Sequence, residues 1–188
     1  MNRTPEQIYD ELLVLRSQAG DSHAFEYLVA RWQERLWWHA FRLTDQKEAA
    51  SDVIQEAWMA IVRGIRSLDD PASFGSWSYR IVTNKCADWT RKQQRQRLAM
   101  QEVAAQSDDQ IQADPNESND QKDEIQKLRN ALKQLPLDRR AILSMLYLDG
   151  LKLHQIAEIL EIPIGTVKSR LHAARTELKS VLERTKDE

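Results

Sequence analysis

Apolar residues recur every three or four positions along most of the chain and almost never alternate, a pattern that predicts helices and no sheet. Thr4-Pro5 supplies an N-cap and a first-turn proline to a helix with Ile8, Leu12 and Leu15 at helical spacing, and Gly20 ends it. Asp21 can cap a second helix holding Phe25, Leu28, Val29, Trp32, Leu36 and His39 or Ala40. Asp45 can cap a third, with Ile54, Trp58, Ile61 and Ile65 on one face, before the turn-forming LDDPAS. A fourth runs from about Phe74 through Trp77, Ile81 and Trp89 into RKQQRQR. Four more are expected near Ile125 to Gln134, Asp138 to Leu148, His154 to Leu160 and Gly165 to Arg184.

Between residues 98 and 124 the helical pattern is lost in a stretch rich in Gln, Asp, Asn and Ser with no aromatic residue. Its apolar area is too small to offset the entropy of ordering the chain. The expected architecture is therefore all-α: two small helical domains, 1–97 and 125–188, joined by a flexible acidic linker, 98–124. Charge sorts the same way. The formal net charge of −2 divides into +1, −7 and +4 over these three segments, so the acidity sits in the linker. All six tryptophans lie between Trp32 and Trp89, and the last segment has Tyr147 as its one aromatic residue.

Composition removes several classes of function. No apolar run approaches the roughly 20 residues of a membrane span, and MNRTPEQIYDELLVLRS lacks the apolar core of a signal peptide, so a cytoplasmic protein is expected. Cys86 is the single cysteine and reads as a small packing residue. The four histidines have no ligand spacing, and neither a metal nor a cofactor is expected. An enzyme lacks its parts here: there is no Gly-rich phosphate loop, no HExxH and no nucleophile spaced from a base.

The C-terminal stretch LKLHQIAEILEIPIGTVKSRLHAARTEL is a short helix, a tight break and a longer helix. Leu153, Ile156, Ala157 and Leu160 on one side of the turn are answered by Ile162, Ile164, Val167 and Leu171 on the other. Such a helix-turn-helix lays its second helix in the DNA major groove. The positions left exposed, Thr166, Lys168, Ser169, Arg170 and His172, with Arg175 a turn further on, suit phosphates and base edges, and no carboxylate interrupts them.

Together with this unit, the upstream stretches ASDVIQEAWMAI and FGSWSYRIVTNKCADWTRK closely resemble the extracytoplasmic-function (ECF) group of the sigma-70 family, the promoter-specificity subunits of bacterial RNA polymerase. The resemblance covers about Asp21 to Arg97 and Ile125 to Leu182. It implies that the first domain is sigma region 2, which docks on the clamp helices of the polymerase's largest subunit and reads and opens the minus-ten element. The second would be region 4, reading the minus-thirty-five element as duplex and meeting the flap of the second-largest subunit. Asp52, Gln55 and Glu56, which share a helix face with Met59 and Arg63, are implied to bind the polymerase core. Ser73, Phe74, Arg80, Asn84, Lys85, Arg91 and Lys92 are implied to handle the opened minus-ten strand, a task that calls for a basic track interleaved with aromatic faces. Asp88 can pair with Arg91 or Lys92, and Trp77 and Trp89 are expected in the core rather than on DNA. Members of the group are commonly held by an anti-sigma factor; a monomer suffices for the role.

Two positions depart from the family pattern. Glu161 stands where many helix-turn-helix turns use glycine, leaving a reshaped or a strained turn as outcomes. Ala173 replaces an arginine of many relatives and removes one expected contact with DNA. The rival reading is a helix-turn-helix repressor acting without polymerase, for which the basic, aromatic fourth helix beside a DxxQE face is an unsuited N-terminal domain.

Overall fold

A computed structural model describes residues 3–104 and 120–184, with side chains over 3–100 and 124–184. The helices are α1 (Pro5–Gln18), α2 (Ser22–Thr44), α3 (Lys47–Gly64), α4 (Phe74–Ala104), α5 (Asp120–Gln134), α6 (Leu137–Leu143), α7 (Leu153–Leu160) and α8 (Ile164–Arg184), and no strand occurs among the described residues. The expected linker falls largely on 105–119, outside the described residues.

The helix starts follow local chemistry. Thr4 and Gln7 form a reciprocal capping box at α1, and the Asp21 carboxylate accepts from the Ala24 amide at 3.0 Å. That amide bond holds the Asp21 carboxyl below the usual carboxylate range. Asp45 behaves otherwise than expected. It is the C-cap of α2, left-handed at φ 57, and Gln46 precedes α3 without a side-chain cap. Its short polar side chain tolerates the left-handed region that ends a helix tightly.

Helices α1 to α4 pack into an N-terminal bundle. Its interior holds Leu28, Leu36, Ile54, Ile61, Phe74, Tyr79, Val82 and Cys86. Two close approaches need glycine. A Cβ at Gly75 would meet the Trp32 ring at 2.8 Å, and one at Gly64 the Trp77 ring at 2.9 Å. In α1 the apolar stripe Ile8, Leu12 and Leu15 faces outward, and Leu13, Val14 and Ser17 are buried instead. The helix turns inward the side that meets α2 and the turns before α4, where the Gln18 amide donates to the carbonyls of Ile65 and Leu68 at 2.9 and 2.7 Å.

Helices α5 to α8 form the C-terminal bundle. Where one helix is expected from Asp138 to Leu148, α6 passes into a single π turn, Ser144–Leu148, closed by the Asp149 amide donating to the Ser144 carbonyl at 2.9 Å. The wider turn carries Met145 inward and brings Asp149 against the other bundle. The buried residues of the two bundles form one continuous apolar cluster.

Candidate protein and nucleic-acid interfaces

The outward face of α3 presents Asp52, Gln55, Glu56, Met59 and Arg63, all exposed, opposite the buried Val53, Ile54, Ala57 and Ile61. Beside this face runs an open apolar groove of about 810 Å³, floored by Val29 and Trp37 of α2 and by Ile54, Trp58 and Val62 of α3. Trp58 is half-buried, edge-on to Phe25 at 5.9 Å, and its indole N–H donates to the Gln33 side chain. Sequence reasoning placed the polar rim and missed the groove. The signal was the apolar Met59 and Val62 on the polar side of α3, both about half exposed.

The residues expected on the opened strand divide along α4. Asn84 and Arg91 are exposed on the outer side, with Arg91 donating to Asp88 at 2.5 Å. Lys85 and Lys92, seven residues apart, turn instead toward α3 and line a polar cleft with Asp52 and Glu56. The Lys85 ammonium meets the Glu56 carboxylate at 2.9 Å, joining two of the expected sets. Ser73 is half-exposed and donates its hydroxyl to the Asp70 carbonyl at 2.7 Å. Phe74 does not belong on a DNA surface. It is 1 % exposed, edge-on to Trp32 at 5.5 Å and tilted against Trp77 at 6.1 Å. Trp77 and Trp89 pack against the core, and burial pushes the Tyr79 hydroxyl far above the ordinary tyrosine range.

In the C-terminal bundle, Val167, Leu171 and Ala174 bury one side of α8 against α6 and α7. Lys168, Ser169, Arg170 and His172 are exposed on the other side, and Thr166 is half-buried at its start. Ile164, expected against α7, is 45 % exposed. Arg175 turns away from the basic face, its guanidinium 5.5 Å from the centre of the Tyr147 ring. It borders a second apolar groove, of about 530 Å³, lined by Leu128 and Leu132 of α5 and Leu178 and Leu182 of α8. This groove also escaped sequence reasoning, although pairs of leucines four apart on two helices were its trace.

The turn between α7 and α8 holds Glu161 left-handed at φ 53 and ψ 42, and the Ile162 amide closes it on the Ala157 carbonyl at 3.1 Å. A side chain in this region costs about 1–2 kcal/mol, which glycine avoids. Glu161→Gly is therefore expected to melt about 2–8 °C above Glu161→Ala in a thermal scan, since both lose the carboxylate and only alanine keeps the strain. Equal midpoints would mean the turn is unstrained.

Residues 28–96 match the family Sigma-70 region 2, and residues 125–178 match Sigma-70, region 4. The ECF RNA polymerase sigma-E factor of Escherichia coli K12 is 33 % identical over 183 residues, covering 90 % of this chain and 92 % of that protein. The ECF sigma factor SigW of Bacillus subtilis is 32 % identical over 170 residues, 87 % of this chain and 91 % of that one. Among solved structures, CnrH in complex with the cytosolic domain of CnrY superposes with a TM-score of 0.70 at 21 % identity, over 94 % of this chain and 98 % of its own. The sigma factor RpoE of Bartonella quintana, bound to the anti-sigma factor NepR, gives 0.64 at 24 % identity over 85 % and 96 %, and both share this fold. With two family matches in order and relatives at a third identity along nearly the whole length, the chain belongs to the ECF group of the sigma-70 family of RNA polymerase sigma factors.

Proposed function

We propose that this alternative sigma factor directs transcription by three separate contacts, none of them catalytic. The outer face of α3, with Asp52, Gln55, Glu56, Met59 and Arg63, grips the clamp helices of core polymerase, and the groove beside it receives their apolar side chains. Arg80, Asn84, Lys85, Arg91 and Lys92 along α4, with Ser73 before it, hold the opened minus-ten strand. Thr166, Lys168, Ser169, Arg170 and His172 enter the major groove of the minus-thirty-five element, with the α8 N-terminus aimed at a phosphate. The second groove, between α5 and α8, takes an apolar segment of the polymerase flap, and Arg175 guards its rim.

The observation that carries this reading is the α3 face, where an exposed acidic rim adjoins an open apolar groove. Helix-in-groove docking needs that combination, and a free-standing DNA-binding repressor has no use for it. The same groove suits a helix of an anti-sigma factor, which would then compete with polymerase. All these contacts are made in the cytoplasm, where polymerase and promoters are found.

The test is run-off transcription with purified core polymerase across a promoter library. Transcripts that appear only with the chain establish the initiation role. Asp52→Lys with Glu56→Lys is expected to weaken core binding at least about tenfold, because two reversed charges replace attraction by repulsion at a docked interface. Duplex binding through α8 should stay unchanged. Undiminished core binding by this double variant would move the polymerase contact off α3.

A further inference from the structure

The outermost line of α1 carries no polar side chain. Pro5, Ile8, Leu12, Leu15 and Ala19 follow one another at alternating steps of three and four, and all five are exposed, Ile8 at 55 %, Leu12 at 47 % and Leu15 at 53 %. The buried residues of the same helix, Leu13, Val14 and Ser17, lie nearly opposite. A surface helix ordinarily turns its polar side outward. Here one helix has two apolar faces, and the bundle uses one of them. Alternating steps of three and four make the narrow seam by which two helices pair, whereas a core-facing helix carries a broader stripe. The seam therefore asks for a second helix with a seam of its own. Residues 105–119 do not supply one, since Ile111 is their single large apolar residue.

The borders of the seam favour another copy of α1. Glu11 on one side and Arg16 on the other are both paired within the chain, with Arg3 at 2.7 Å and with Asp21 at 2.6 Å. Two such faces meet without unpaired like charges. Laid antiparallel, with Leu12 of one copy level with Leu15 of the other, they set Ile8 against the small Ala19 of the second copy. The same register brings Arg16 to the exposed Tyr9 of the second copy, a ring that Arg31 of its own chain already covers on one side at 5.0 Å. A parallel pair is worse on each count. It sets Ala19 against Ala19 and aligns the two helix dipoles, and Glu11, which would have to answer Arg16, is 17 % exposed and held by Arg3.

We propose that the free chain pairs with a second copy of itself through this seam, α1 against α1 in antiparallel register. The contact is one helix wide and buries well under the ~800 Å² per partner of a standard interface. The pair is therefore reversible and forms as concentration rises. Its seam shares no residue with the α3 face, the α4 track or the α8 surface, so the pairing stands or falls independently of the function given above.

The test is sedimentation equilibrium of the full chain from about 1 to about 500 µM, where a contact of this size should be half dimer on the order of 10–100 µM. Leu12→Glu with Leu15→Glu places four carboxylates in the seam of a pair and should raise that midpoint at least about tenfold. Both side chains are already half exposed, so the helical signal and the melting midpoint should hold. Ile8→Cys with Ala19→Cys keeps the question answerable if the glutamate variant folds poorly. Oxidised at high concentration, it should give a covalent dimer, and Ala19→Cys alone should not. Cys86 does not interfere, being fully buried with its thiol pushed up to about 12. A chain that is monomeric throughout, a glutamate variant that dimerises as readily as the wild type, or a covalent dimer from Ala19→Cys alone as readily as from the double variant would each overturn the antiparallel pair. Core polymerase supplies the last comparison, and the glutamate variant should bind it within about twofold of the wild type. A monomeric wild type whose core binding is lost in the glutamate variant would give the seam to a helix of the polymerase and overturn the pairing equally.

Discussion

Phe74→Ala is expected to destabilise the N-terminal bundle by about 3–5 kcal/mol, the range for removing a fully buried aromatic ring. The ring fills the junction where α4 begins, between Trp32 of α2 and Trp77 of its own helix. The neighbours cannot close the cavity, because Trp32 is already seated at the van der Waals limit of Gly75. Phe74→Leu keeps most of the apolar volume and should cost about 1–2 kcal/mol. The pair separates two roles for one residue. If Phe74 is structural, denaturant unfolding shows the large and the small loss, and the leucine variant still opens a promoter at wild-type level once folded. Were its ring a platform for an unstacked base, the leucine variant would fold well and fail at opening, since stacking is worth about 1–3 kcal/mol per base and leucine has no π-face to offer.

Phe74 also marks where the sequence stops being legible. Helix number, order and approximate ends follow from apolar spacing and caps, because those are local: Thr4, Asp21 and the proline turns act within a few residues of themselves. Which face a helix buries is not local. The stripe Ile8, Leu12 and Leu15 has the right period for a core face, yet α1 buries Leu13 and Val14, because its contacts are dictated by α2 and the turns before α4. Aromatic and basic residues interleave along α4 in a way that suits a separated strand, and spacing alone does not say that Phe74 and Tyr79 face inward while Asn84 and Arg91 face out. The polar face of α3 was readable because three polar residues at i, i+3 and i+4 stand against a strong apolar stripe. The grooves were not, since each needs two helices side by side. Least visible of all was the contact between bundles. Asp149 stands 110 residues from His39, and no pattern in either stretch announces the other.

Arg170→Ala is expected to weaken binding to the minus-thirty-five duplex by about 1–3 kcal/mol, roughly 5- to 150-fold, and to relax the choice of base at one position. Lys168→Ala should act differently, weakening all duplexes about equally and lowering the slope of affinity against salt by about one counterion. The distinction comes from where the two lie. Both are exposed in the first turns of α8, the part of a recognition helix that meets the groove, and no salt bridge among the described residues diverts either from DNA. Arginine has the planar fork that engages a guanine edge with two hydrogen bonds, whereas lysine is a point charge on a flexible stem. Ala173→Arg adds the contact that the chain lacks, and it should raise affinity for every duplex and steepen the salt slope. Binding isotherms between 50 and 200 mM salt, on the preferred sequence and on a scrambled one, carry the decision. If Arg170→Ala lost equally on both sequences, its guanidinium would be holding a phosphate, and specificity would have to come from Thr166, Ser169 or His172. If neither single variant changed affinity, α8 would not be the helix in the groove.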